Sequence, residues 1–163
     1  MINFTKIKVS ELSPRGIEAY NYTVAARTLA EYGFECCWLT NDAFGADFLA
    51  TNQDEVVKIQ LKTTVSFSKK YMNKDLWICF PHDHGIWLYK HDETLDAFPN
   101  IAATKSWEAG AYHYPYSQLT KKQFDALKGS DHAIYLNQHV KDAGEILQHQ
   151  RIRVPNWKQI SQG

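Results

Sequence analysis

The clearest pattern in the chain is an alternation of apolar and polar residues across the segment 56–64. Side chains of a β-strand point alternately to its two faces, so this segment is predicted to be a strand with one apolar and one polar face. The apolar positions are Val57, Ile59 and Leu61, and the polar positions are Lys58, Gln60 and Lys62. A shorter strand is predicted at 46–51, and the polar residues 52–55 predict a turn that joins the two strands into a hairpin.

A helical pattern precedes this hairpin. Ser13 is a candidate N-cap, and Pro14 suits the first helical position. Ala25 and Leu29 fall on one stripe of the helix, which we expect to pack on the sheet. Gly33 is typical of the residue that ends a helix.

Further strands and helices are predicted around these elements. Strand character is found in the segments 34–40, 76–80 and 85–90. The segment 66–74 is predicted to be a loop. Helices are predicted after Asp92 and over the segments 119–128 and 141–150. A helix, then four or five strands, then further helices predict an α/β fold with a mixed sheet.

Composition limits the class of protein. The 163 residues are 44% hydrophobic and 22% charged, which is typical of one globular domain. The formal net charge of zero argues against a protein-wide field that steers nucleic acid, but not against a local basic groove. Three cysteines without zinc-site spacing indicate reduced thiols, as in a cytoplasmic protein. No signal peptide or long apolar stretch is present, so no membrane association is expected.

The register of the predicted hairpin brings three polar side chains together. If the turn comprises 52–55, the residues adjoining it pair and Asp47 stands opposite Gln60. Directly opposed residues share a face, and Lys62, two residues beyond Gln60, shares it too. A slip of one residue would move Asp47 to the other face, so the prediction is sensitive to register.

These residue types suit metal-assisted cleavage of a phosphodiester. Asp47 and the amide oxygen of Gln60 can bind Mg²⁺, a hard cation that prefers oxygen ligands. Lys62 can orient or deprotonate the attacking water and stabilise the transition state. A further ligand is expected from the helix, where Glu18 and Asn21 are surface neighbours. Glu18 is preferred because it carries a charge.

The segment 16–64 resembles the PD-(D/E)xK nuclease superfamily, which includes Holliday-junction resolvases, restriction endonucleases and some intron-homing endonucleases. Besides the helix with its acid, the matching motifs are Gly33-Phe34, Gly45-Ala46-Asp47 and Gln60-Leu61-Lys62 followed by Thr63. Two departures are present. Gln60 stands where the motif has its second acid. The family's usual helix glutamate falls near Asn21, one turn beyond Glu18.

The resemblance implies a restriction-endonuclease-like core at about 14–90, within one domain of 1–163 that has a helical or irregular extension at 91–163. It also implies a deoxyribonuclease, a hydrolase dependent on Mg²⁺ or Mn²⁺, with DNA as its partner. A homodimer is compatible with it, since restriction-type nucleases commonly dimerise to cut both strands. The metal ligands would be Asp47, Gln60 and Glu18, and the catalytic residues would be these three and Lys62.

Other interpretations stay open at this point. The polar face of segment 56–64 could simply face solvent. Lys69, Lys70 and Lys74 could bind the nucleic-acid backbone, or they could belong to a solvated loop; Asn21 is a further candidate for binding nucleic acid. His82 and His84 could bind a metal but are more simply part of a turn. The alternative function is a catalytically weak or inactive nuclease-fold protein that binds nucleic acid or another protein.

Overall fold

A computed structural model describes residues 5–53, 55–98, 100–113 and 120–137. The fold is mixed α/β, with a six-stranded mixed sheet flanked by helices. The helices are α1 (Pro14–Glu31), α2 (His91–Leu95), α3 (Lys105–Glu108) and α4 (Lys121–Lys128), with 3₁₀ turns at Val9–Glu11 and Lys69–Tyr71. The strands are β1 (Glu35–Ala43), β2 (Ala46–Asn52), β3 (Glu55–Leu61), β4 (Ser66–Ser68), β5 (Trp77–His82), β6 (Gly85–Lys90), β7 (Ala111–His113) and β8 (Ala133–Asn137).

The strand order of the main sheet is β1-β2-β3-β5-β6-β8. The pair β3 and β5 is parallel, whereas the other neighbours in this sheet are antiparallel. A second, two-stranded sheet joins β4 to β7. Because β3 has a partner on each side, its position and side-chain directions are fixed by both β2 and β5.

Helix α1 begins and ends where the sequence predicts. The Ser13 hydroxyl accepts a hydrogen bond from the Gly16 N–H at 3.1 Å, and Gly33 has a φ of 82° after the helix. Ala25 and Leu29 are buried in a cluster with Phe48 and other residues of the sheet, which confirms the predicted stripe. No helix in the part of the chain that the structure describes is long and apolar enough to span a membrane.

The register of the β2–β3 hairpin is the predicted one. Phe48 pairs with Ile59, and Thr51 pairs with Val56. The predicted turn length was wrong, because Asn52 and Glu55 also pair and leave a two-residue loop. Gln53 in that loop has a φ of 52°, the left-handed conformation that such short hairpin loops use. Strand β3 ends at Leu61 rather than at residue 64.

The end of β3, at residues 59–61, is covered on both faces, so a solvent-facing polar side is the wrong interpretation for Gln60. Ile59 and Leu61 are buried in the cluster that contains α1. On the other face the Gln60 side chain is only 8% exposed. An antiparallel sheet can leave one face to solvent, but here residues following β3 form a second layer on that face.

The second layer contains elements that the sequence pattern did not predict. The segment 66–74, predicted to be a loop, holds β4 and a 3₁₀ turn, and Phe67 is fully buried. Strands β7 and β8 were also missed, because three to five residues are too few to establish a period. Helix α2 begins at His91, just before the predicted start, and the predicted helix over 119–128 is α4, whose N-cap is Thr120. The predicted helix 141–150 lies outside the described residues.

Side chains of β6 and α2 tie β4 to the main sheet. The Tyr89 hydroxyl donates to the Ser66 carbonyl at 2.7 Å and accepts from the Ser66 N–H at 2.9 Å. His91 accepts the Ser68 N–H at its Nε2, at 2.9 Å, and its Nδ1 lies 2.6 Å from the Asp92 carboxylate. Burial lowers the pKa of His91, although the hydrogen bond with Asp92 opposes this shift. The fold therefore requires a neutral His91 whose Nε2 is unprotonated.

The stability of the protein should fall in mild acid because of His91. In the unfolded chain the imidazole titrates near its ordinary pKa of about 6.5, and in the fold its pKa is lower. The contribution is therefore complete above about pH 6.5 and is lost as the pH falls through the folded pKa. The free energy of unfolding, measured with urea between pH 8 and pH 5, should change less steeply with pH in His91→Gln than in the wild type. The control is His84→Gln, at an exposed histidine. If the free energy of unfolding depends on pH as steeply in His91→Gln as in this control, the account is contradicted.

Candidate active site

A cleft of about 350 Å³ opens at the end of the β2–β3 hairpin remote from its turn. It is bordered by α1, β1, β2, β3 and the 3₁₀ turn after β4. The lining residues are Glu18, Trp38, Leu39, Thr40, Asn41, Ala46, Asp47, Gln60, Lys62, Lys70 and Tyr71. The four residues that the sequence analysis assigned to catalysis all belong to this set.

The Asp47 carboxylate is held by donors of β3. Its Oδ2 accepts the backbone N–H of Leu61 at 2.8 Å and also accepts a short hydrogen bond from the Gln60 amide nitrogen. Both donors are available because the hairpin register places Asp47 opposite Gln60. The predicted convergence of these two side chains is therefore observed, and it fixes the carboxylate at the cleft.

An irregularity in β1 widens the cleft beside Asp47. Trp38 pairs with Phe48, but the next recorded pair is Ala43 with Ala46. The four β1 residues 39–42 thus stand opposite Asp47 alone. A bulge bends its strand and is common beside active sites. The bulge gives the cleft two polar residues that the sequence analysis missed, Thr40 and Asn41. Their only sequence signal was a polar run between an apolar strand and Gly45.

The turn before Asp47 explains why glycine precedes Ala46 in the motif. Gly45 has a φ of 89°, a conformation that favours glycine. A Cβ at this position would come within 3.0 Å of Leu76 and 3.1 Å of the Tyr71 ring. Glycine is therefore favoured by the backbone conformation, and a Cβ at this position would also press on a buried aromatic ring.

Replacement Gly45→Ala should destabilise the fold by about 1–3 kcal/mol, because it adds steric contact to backbone strain. Gly110 provides a matched control. Its φ of 117° is also positive, but a Cβ there would meet nothing within 4 Å. Chemical denaturation of the two alanine variants should show the larger loss for Gly45→Ala. Equal losses would mean that the contact with Tyr71 and Leu76 contributes nothing.

Two lysines share the ring of Tyr71 at the cleft. The Lys62 Nζ lies 5.3 Å from the ring centroid, and the Lys70 Nζ lies 4.8 Å from it. Ammonium groups at this distance are attracted to the face of an aromatic ring. Tyr71 is itself buried, so it is a fixed support for both cations. The backbone N–H of Lys62 also donates to the Cys79 carbonyl at 2.8 Å, which continues the alignment of β3 with β5.

His113 lies near this pair of cations. Its Nδ1 is 2.8 Å from the Ser66 hydroxyl oxygen. Burial lowers the pKa of His113, and the positive charges of Lys62 and Lys70 lower it further. The imidazole is therefore neutral at neutral pH, so the basic character of this region comes from the two lysines.

The residues predicted to bind nucleic acid are spread over a wider area. Lys70 lines the cleft, but Lys69 lies over the Trp107 ring at 5.7 Å. The carbonyl of Lys74 accepts a hydrogen bond from the Lys58 ammonium at 2.5 Å. Asn21 is half-buried on α1, and Glu18 rather than Asn21 lines the cleft.

The side chains of the cleft offer oxygen ligands only. Asp47 and Glu18 supply carboxylates, and Gln60 and Asn41 supply amide oxygens. Mg²⁺ is commonly bound through one or two carboxylates and keeps several waters, so this donor set fits such a cation in kind. Among the described residues no group of three or more His, Cys, Asp or Glu side chains could hold a metal ion. This finding also leaves the His82–His84 turn without support as a metal site.

Comparison of the chain with protein-family models, with curated proteins and with solved structures gave no match in any of the three.

Proposed function

We propose that the protein is a metal-dependent endonuclease of the PD-(D/E)xK kind, with a restriction-endonuclease-like core, that hydrolyses phosphodiester bonds in DNA. The observation that supports this most strongly is the common cleft. Asp47, Gln60 and Lys62 come from two strands, Glu18 comes from a helix, and all four line one cavity. Residues that are up to 44 positions apart in sequence thus line one cleft, and this supports the proposal.

Asp47 and Glu18 would hold a Mg²⁺ or Mn²⁺ ion, with an amide oxygen from Gln60 as a further ligand. When bound, such an ion would lower the pKa of water and neutralise negative charge on the phosphate. Gln60 also orients Asp47, since its amide nitrogen donates to the carboxylate. The Leu61 N–H acts in the same way on the same oxygen.

Lys62 would act on the scissile phosphate and the attacking water. A positive charge fixed in advance stabilises the negative charge that develops in the transition state without reorganisation. Tyr71 supplies this fixation for Lys62 and holds Lys70 beside it. Lys70 would contact a neighbouring phosphate, a type of contact that positions nucleic acid without reading its sequence.

A Lys62→Ala variant should lose cleavage of plasmid DNA in Mg²⁺ or Mn²⁺ by about 100-fold or more, as expected for a preorganised charge at the reacting phosphate. Lys58→Ala is the matched control. Lys58 lies four residues before Lys62, on the face of β3 that carries Gln60, but does not line the cleft. Cleavage that survives Lys62→Ala, or that falls equally in both variants, would refute the assignment of Lys62.

In a Gln60→Glu variant the melting temperature should depend on a divalent cation. In this variant two carboxylates would replace the hydrogen-bonded pair of Asp47 and Gln60, and their repulsion would lower the melting temperature without metal. Mg²⁺ or Mn²⁺ should raise that temperature again, by more than it does for the wild type. The measurement is thermal unfolding with and without the ion, so it needs no catalytic activity.

The double variant Asp47→Asn with Gln60→Glu is the control for this experiment. It restores one acid and one amide in exchanged positions, so it should lose the additional response to metal. If the single variant responds to the ion no more than the double variant does, the two side chains do not share a cation.

DNA binding without hydrolysis is the second candidate. It is favoured by one specific observation, that two N–H groups already occupy the Oδ2 of Asp47. A wild-type protein that binds DNA but never cuts it, and whose Gln60→Glu variant shows no cation dependence, would establish this function instead.

A further inference from the structure

The tip of the β1–β2 connection carries an exposed aromatic ring. Phe44 is 77% exposed, more than any other large hydrophobic residue that the structure describes as exposed. Residues on both sides of it in sequence, Asn41 and Ala46, line the cleft. The ring contributes little to the core, so packing does not explain why a phenylalanine stands at this position.

The backbone at Phe44 is also unfavourable for a bulky residue. Its φ is 60°, in the left-handed region that glycine and asparagine adopt readily. Strained residues of this kind concentrate at functional sites, where the surrounding structure holds them. Here the surrounding structure is the next residue, Gly45, which lies against Leu76 and Tyr71. The aromatic ring is therefore carried on an anchored turn.

The residue that anchors the turn also carries the cations. Tyr71 lies beneath Gly45, and the ammonium groups of Lys62 and Lys70 lie near its ring. The same buried side chain thus lies against the turn that carries the exposed aromatic ring and close to two positive charges. Phosphates attract ammonium groups, and the face of a nucleobase stacks on an aromatic ring. These are the two surfaces that an unstacked nucleotide presents.

We propose that Phe44 stacks on an unpaired base next to the phosphate held at the cleft. The substrate class is therefore DNA with a locally unstacked nucleotide, such as a mismatch, a bulge or a single strand. In a regular duplex each base is already stacked on its neighbours, so Phe44 has no partner there unless a base is displaced. This inference rests on the proposed function, since it takes nucleic acid as the ligand of the cleft.

The test measures DNA binding in Ca²⁺, which separates binding from cleavage. The probes are a fully paired duplex and the same duplex with one unpaired 2-aminopurine, whose fluorescence reports stacking. Wild type should bind the second probe more tightly and quench its fluorescence. Phe44→Asn should weaken binding to that probe by about tenfold and remove the quenching, while binding of the paired duplex stays the same. Phe44→Trp should keep both properties.

Folding does not confuse this test, because asparagine tolerates the left-handed conformation and Phe44 is exposed. Tyr20→Asn is the control, since Tyr20 is an exposed aromatic residue on α1 that does not line the cleft. The proposal is overturned if Phe44→Asn behaves as wild type, if it weakens both probes equally, or if its effect is only to change self-association in sedimentation.

The outcomes also separate this proposal from the nuclease assignment. Normal cleavage with no effect of Phe44→Asn on binding would reject stacking and leave hydrolysis standing. Selective quenching by a wild type that never cleaves would support stacking and reject hydrolysis. Failure of the wild type to bind either probe would reject stacking by Phe44 and DNA as the ligand.

Discussion

The hydrogen bonds between the Asp47 carboxylate and the start of the Gln60-Leu61-Lys62 motif determine the geometry of the cleft. They add side-chain hydrogen bonds to the backbone pairing that already joins β2 to the central strand β3. The carboxylate is close enough to two N–H groups only when Phe48 pairs with Ile59. The register of one hairpin therefore controls whether the polar groups of the site face the same cavity.

Tyr71 is the second organising residue, and it acts from the opposite layer. Its ring supports two ammonium groups, and its edge meets the turn that leads into Asp47. The carboxylate side and the basic side of the cleft are thus held by different elements, β3 and the 3₁₀ turn at Lys69–Tyr71. The acidic and the basic side chains of the cleft therefore do not depend on one and the same element for their positions.

The sequence predicted the parts of this arrangement that depend on local pattern. The caps of α1, the alternation in β3 and the hairpin register all follow from periods of a few residues. The role of Tyr71 depends on contacts between distant segments, which no local pattern contains. The bulge at 39–42 was hidden for a related reason, since it is defined by the pairing of β1 with β2 and not by the composition of β1. Choosing Glu18 over Asn21 from charge gave the residue that lines the cleft, although the resemblance placed the acid elsewhere.

The bulge in β1 also affects how copies of the protein meet. In the described part of the chain β1 is an outer strand of the main sheet, and β2 pairs with only one of its two edges. A straight outer strand offers a row of free backbone groups on which a neighbouring molecule can extend the sheet. Residues 39–42 break that row, so a neighbour could match only a short stretch of it. The irregularity beside the carboxylate is therefore also expected to disfavour edge-to-edge association along β1.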